Sequence, residues 1–176
     1  MKTRLIENDK VFEGLKSVKD FKLSVGWFED TKYNNGVSVA MVAEGNEFGR
    51  MIKVTPKMRG WFAGHGVHLK KSTQYIIIKP RPFMRPAIDK NQDTWADDLR
   101  KDLLKSILTG GDIEKVLDRL GLEVKGHIQE CITEVESPKL SGFTVAMREQ
   151  HGSGGEKPLV DSGIMLGTIS YRSETK

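Results

Sequence analysis

Four histidines and a single cysteine are the side chains here with the widest chemical reach, as metal ligands, proton carriers or a nucleophile. His65 and His68 form a close pair in His65-Gly66-Val67-His68, but no third ligand follows at a standard spacing, and zinc usually takes three or four from the protein. His127 and Cys131 lie one helical turn apart, within reach of a thiolate–imidazole couple. A half-buried cysteine near a helix end is the simpler reading of that pair. His151 opens Gly152-Ser153-Gly154-Gly155-Glu156-Lys157, which superficially resembles a phosphate loop. The spacing is wrong, and Pro158 follows the lysine where a Ser or Thr is required. Asp97 and Asp98 would point about 100° apart on a helix, the mark of a solvated face. Ser162, between Asp161 and Gly163, lacks the G-x-S-x-G frame of an exposed nucleophile. These residues make no catalytic constellation. The expectation is a non-enzyme with no catalytic residue, cofactor, metal or small-molecule substrate.

Charge is more informative in its distribution than in its total of +4. No Asp or Glu occurs from Phe48 through Ile88, a stretch that carries Arg50, Lys53, Lys57, Arg59, Lys70, Lys71, Lys79, Arg81 and Arg85. Such a run raises the local potential and suits an acidic protein surface or nucleic acid; it also suits a solvated loop. Trp61, Phe62 and Tyr75 lie among these cations, and aromatic platforms beside cations suit single strands. Their flanking glycines argue instead for an excursion from the fold, and no standard nucleic-acid motif is present.

The elements that position these residues follow from pattern. The chain has 176 residues, 38% of them apolar and 30% charged, which suits one soluble domain able to bury its own core. No stretch reaches the roughly 18 apolar residues of a membrane span. The start, Met1 to Glu7, soon turns acidic and predicts no signal peptide, and the lone cysteine fits a reducing compartment, hence cytoplasmic synthesis. Residues 6–19 read as a helix on Ile6, Val11, Leu15 and Val18, and 21–28 as a strand. Asn34-Asn35-Gly36 is a turn, after which Ser38 caps a helix running to Phe48, stopped by Gly49. Residues 50–74 read as a basic excursion with a helical turn or two after Thr55-Pro56, and 75–78 as a strand. A first long helix runs from Met84 or Arg85 to Leu108; a second, capped by Asp112, repeats Ile113, Val116, Leu117, Leu120, Val124 and Ile128. Gly110-Gly111 between them predicts a helical hairpin. Phe143, Val145 and Met147 alternate and predict a strand over 142–149. A flexible tip at 151–155, a short helix or turn at Met165-Leu166 and a last strand around 168–172 complete the chain. The reading is α+β, a single domain over 1–176, with a small mixed or antiparallel sheet packed against two long helices and a basic loop excursion at 50–74.

Within that frame, Glu47 ends a helix beside the basic run and could pair with Arg81 or Arg85 to fix the base of the excursion. Phe83, between Pro82 and Met84, is a candidate buried anchor. Asp161 is placed to cap the next turn, with Gly163 keeping it tight. Partner contacts are expected from the excursion at Lys57, Arg59, Trp61, Lys70 and Lys71 and from Arg81 and Arg85, with Glu47, Phe83 and Asp161 as structural supports.

A family likeness rests on the order of four segments: Val25-Gly26-Trp27-Phe28; Val39-Ala40-Met41-Val42-Ala43 leading to Asn46-Glu47-Phe48-Gly49; Arg81-Pro82-Phe83-Met84-Arg85-Pro86 opening a long helix; and Lys157-Pro158-Leu159-Val160-Asp161-Ser162-Gly163 before Met165-Leu166. Over residues 20–170 the chain resembles the minor structural proteins of long-tailed bacteriophages and prophages that join head to tail or complete the tail. Val54 to Arg59, continuing to His68-Leu69-Lys70-Lys71, resembles a longer-loop branch of that group. The chain departs from the pattern at Ala43-Glu44-Gly45-Asn46, where an uninterrupted apolar helix is usual. The resemblance implies a virion component made in the bacterial cytoplasm and assembled as a homo-oligomeric ring at the neck or tail end. It implies other phage head, neck or tail proteins as partners, non-specific contact with DNA in the channel, and no membrane. The alternative reading is a small basic nucleic-acid-binding protein using residues 50–85.

Overall fold

A computed structural model describes residues 21–152 and 155–175. The expected helix at 6–19 and residues 153 and 154 of the expected tip lie outside them. The fold is mixed α+β: two small antiparallel sheets and two long helices. Strand β1 (Phe21–Gly26) pairs with β4 (Ser170–Thr175), in a register running from Phe21 opposite Thr175 to Gly26 opposite Ser170. This ladder closes the described chain on itself.

The long helices are α3 (Met84–Thr109) and α4 (Ile113–Glu134). Gly110 ends α3 in the left-handed conformation at φ 67°, and the Asp112 side chain accepts from the Glu114 amide to start α4. Ile113, Leu117, Ile128 and Ile132 form the buried stripe of α4, which packs on α3 and across the β1–β4 pair. Gly121 sits where α4 crosses β4. A Cβ built on it would stand 2.5 Å from the Tyr171 ring, so its missing side chain is what allows that approach.

Helix α1 (Val39–Phe48) starts on Ser38, whose hydroxyl accepts from the Met41 amide, and ends at Gly49 with φ 78°. A side chain at Gly49 would crowd Ile78 O and Pro80. Val39 and Ala43 of α1 join Phe83, Ala87, Ile128, Ile132, Met165 and Ile169 in the core. Trp27 meets Phe83 edge-on with ring centres 5.7 Å apart, and its indole N–H donates to Met165 O at 2.8 Å. That bond and the one from Gln129 Nε2 to Leu166 O (2.8 Å) hold the short helix α6 (Ile164–Gly167) against the core.

Two expectations change here. The segment at 50–74 is an arm with regular structure at its base: β2 (Arg50–Lys53) pairs with β3 (Tyr75–Ile78), and α2 (Pro56–Gly64) rises between them on a Thr55 cap. Arg-Met-Ile-Lys is too short and too charged to announce a strand without its partner. Among the described residues, this second sheet makes no extensive contact with the long helices. Residues 142–149 are helical, not extended: α5 (Gly142–Gln150) begins on Ser141, which accepts from the Thr144 amide. Phe143 and Met147 stand four apart as well as in alternation, so the pattern served both periods and the cap decided.

Candidate functional site

His65, His127, His151 and the cysteine are engaged locally, and His68 is exposed. Trp95 Nε1 donates to His127 Nδ1 at 2.9 Å, so His127 is turned towards α3, not Cys131. Cys131 is buried, and that burial, with Glu134 and Glu130 nearby, pushes its thiol up against a smaller opposing pull from Lys90; this is the reverse of thiolate activation. His65 Nδ1 lies 2.7 Å from Trp61 O, and His151 Nδ1 lies 2.6 Å from Met147 O. Among the described residues no three His, Cys, Asp or Glu side chains gather as a metal site. Asp97 and Asp98 pair with Arg100 and Lys101 along the solvated face of α3.

Glu47 organises the junction between core and arm. It is 3% exposed, and its carboxylate accepts from the amides of Phe83 (2.7 Å), Met84 (2.9 Å) and Arg85 (3.1 Å) and from Arg85 Nε at 2.9 Å. Phe83, the residue at the cap position of α3, has no side chain able to cap. Glu47 therefore caps α3 from another helix, 36 residues away, where orphan amides and the helix dipole favour an anion. Burial opposes its charge, but the three amides and Arg85 outweigh it and hold its pKa below the usual carboxylate value. Arg85 also stacks over Phe48 at 5.1 Å. Of the two expected partners, Glu47 takes Arg85. Arg81 instead donates to Pro138 O (2.7 Å) and Lys139 O (3.2 Å).

Arg81 is one of three arginines that fold loops by binding carbonyls. Arg59 reaches from α2 to Leu69 O (3.3 Å), Lys70 O (3.0 Å), Lys71 O (3.5 Å) and Thr73 O, which ties the return of the arm to its helix. Arg148 holds Gly155 O, Lys157 O and Val160 O, with its Nε 3.4 Å from Asp161. Asp161 accordingly pairs with Arg148 and does not cap α6; Gly163 occupies the cap position with no side-chain bond. The arm's own sequence holds no acid, so for Arg59 backbone carbonyls are the strongest acceptors within the arm.

Around this frame Lys57, Lys70 and Lys71 are exposed. Trp61, 47% exposed, is no isolated platform: it meets Phe62, His65 and Phe143 with ring centres 5.1, 4.2 and 5.9 Å away. Phe143 joins it because α5 is a helix. Sequence reasoning also missed one face of the β2–β3 hairpin. Met51 lies opposite Ile77 and Lys53 opposite Tyr75, so all four share a face, where Met51, Tyr75 and Ile77 are 62%, 45% and 68% exposed. The signal was present in Tyr75-Ile76-Ile77-Ile78, an apolar run longer than a half-buried strand needs. Among the described residues no helix is long and apolar enough to cross a membrane.

No protein-family model matches the chain, and neither does any curated protein or solved structure.

Proposed function

We propose that this chain is a structural virion protein of a long-tailed bacteriophage or prophage, assembled as a ring at the head–tail junction or tail terminus. The ordered segments from Val25 to Leu166 suggest the family, and the observation that carries an assembly role is the exposed Met51–Tyr75–Ile77 face. Two-stranded hairpins are marginal in water, and contiguous exposed apolar surface is a feature of interaction sites. A face that meets a different surface on the next copy generates a closed ring when the rotation closes. On this reading the basic arm accompanies a channel for DNA, and its Met51–Tyr75–Ile77 face, which also carries Lys53, makes the subunit contact. The expected result from light scattering coupled to gel filtration, over a concentration series at two salt levels, is a discrete ring-sized oligomer. Met51→Glu with Ile77→Glu shifts it to the monomer while the circular dichroism stays unchanged. An unaltered oligomer in that variant removes the hairpin from the contact.

The second reading, a small basic nucleic-acid-binding protein, is favoured by one observation: Lys57, Lys70 and Lys71 stand exposed on an arm whose sequence has no acid. It requires a monomer that binds single-stranded oligonucleotide directly, with affinity falling steeply as salt rises.

A further inference from the structure

A groove of about 840 Å³ runs beside the arm, between β3 and the segment that leads into α5. It is lined by the consecutive residues Ile76, Ile77, Ile78 and Lys79 and by no residue of β2. A depression over either face of the hairpin would touch alternate residues of both strands. This one therefore follows the outer edge of β3, which pairs with no other strand among the described residues.

The ladder fixes which backbone groups face it. Val54 N–H donates to Gln74 O at 2.8 Å, and bonded pairs alternate along an antiparallel ladder. Ile52–Ile76 and Arg50–Ile78 are then the bonded pairs of the hairpin, and Ile77 turns its amide and carbonyl to the groove. An edge with unpaired amides and carbonyls is a template for an added strand.

The walls state the charge of what fits. Lys79, Arg81, Lys139 and Arg148 line the groove, against Asp161 as its one carboxylate. Arg81 and Arg148 lie close enough that the second, after burial, helps lower the pKa of the first. The β2 edge of a second copy would bring Arg50 and Lys53 into this field and be repelled. A nucleic-acid backbone would match the cations but leave the strand edge without a partner.

We infer that this groove receives an extended acidic segment of a partner protein, which adds to β3 as a third strand and sets its carboxylates beside the exposed Lys79 and Lys139. The inference goes beyond the ring reading, which concerns the face of the hairpin, and it holds or fails without it.

The test uses the full chain and a fluorescein-labelled octapeptide of alternating Val and Glu, read by anisotropy. Saturable binding is expected, with a Val–Lys octapeptide weaker by at least about tenfold, since each such factor needs only about 1.4 kcal/mol of charge complementarity. N-methylation of alternate peptide amides, on the edge that meets β3, lowers affinity to a similar degree. Lys79→Glu with Lys139→Glu, at two exposed positions, does the same without loss of fold by circular dichroism. The Ile77 amide gains hydrogen-exchange protection in the complex. Equal binding of the two peptides, or indifference to N-methylation, overturns the proposal. So does equal competition by a single-stranded oligonucleotide, which marks a general polyanion surface. Release of an existing oligomer by the peptide, with loss of Ile77 protection present beforehand, assigns the edge to a second copy and overturns the partner-strand reading.

Discussion

Where α4 crosses β1 and β4, the chain is held by apolar side chains packed at contact distance: Leu117, Ile128 and Ile132 are buried, and Tyr171 rests on the bare backbone of Gly121. In the arm, no side chain of α2 is buried, and of β2 only Ile52 is even partly covered. Its shape comes from a four-residue ladder, the Thr55 cap and one guanidinium on four carbonyls. The contrast teaches that the two regions answer to different forces. Apolar burial is non-directional and cooperative, so the core stands or falls together. Polar clamps fix geometry while contributing little net stability, and they leave apolar faces uncovered for another surface. The arm has a defined shape before it has a partner.

Glu47 is where the regions join, and removing it gives the largest expected effect. Glu47→Ala leaves the first amides of α3 buried without an acceptor and Arg85 without its anion. The loss is about 3 kcal/mol, mostly from the amides, because Arg85 is more than half exposed and its attraction is screened. Urea titration should show a lower midpoint for the whole molecule, since Phe83 and Ala87 of the core follow directly on the cap. Glu47→Gln separates charge from shape. With the folded pKa depressed below 4.5, the wild-type contribution is full above that value and disappears as pH falls through the lower folded one. The Gln variant lacks that acid limb, so the two stability curves converge on acidification. Curves that stay parallel would show that Glu47 carries no such linkage.

Two glycines one and a half turns apart on α4 sharpen the comparison within a single helix. Gly121→Ala drives a methyl into Tyr171 at the base of its ring, where no rotation of a side-chain end relieves it, and should cost about 1–3 kcal/mol. Gly126 has nothing within 4 Å of its Cβ position. There the same change restores helix propensity and should stabilise by up to about 1 kcal/mol. Thermal melts of the two variants are expected to move in opposite directions.

Those glycines also mark what a sequence yields. Gly121 and Gly126 both lower the helix propensity of α4, and nothing local separates the one that packs from the one that does not. Local signals held: Ser38, Thr55 and Asp112 cap their helices, Gly49 and Gly110 end them, and the periodicity of α4 names its buried face. Long-range partners were legible only in part. Phe83 as a buried anchor and Glu47 beside Arg85 follow from composition and proximity to the basic run, but the capping of α3 by Glu47 depends on a contact no local window holds. Arg59 and Arg81 read as partner contacts and Arg148 drew no reading, because backbone carbonyls, their actual acceptors, have no letter in a sequence. Residues 142–149 failed for a different reason: Phe143 and Met147 satisfy two periods at once, and Ser141 was the deciding residue.

The smallest expected effect tests whether the arm is held as described. Arg59→Lys keeps the charge but replaces a planar fork with a point donor that cannot span the carbonyls from Leu69 to Thr73. Because α2 buries no side chain, global stability should change by less than about 1 kcal/mol. The local consequence is larger. Hydrogen bonds to a charged donor carry roughly 1.5–3 kcal/mol, so exchange protection at Thr73 and Val54, whose amides bond Lys70 O and Gln74 O, should fall by about tenfold or more. Protection along α4 should not move. If the arm loses protection while the core keeps it, the two regions are separate units of stability joined at Glu47. If α4 loosens as well, the arm is coupled to the core through contacts beyond the Glu47 cap, and its uncovered faces owe their shape to the core rather than to their own arginine.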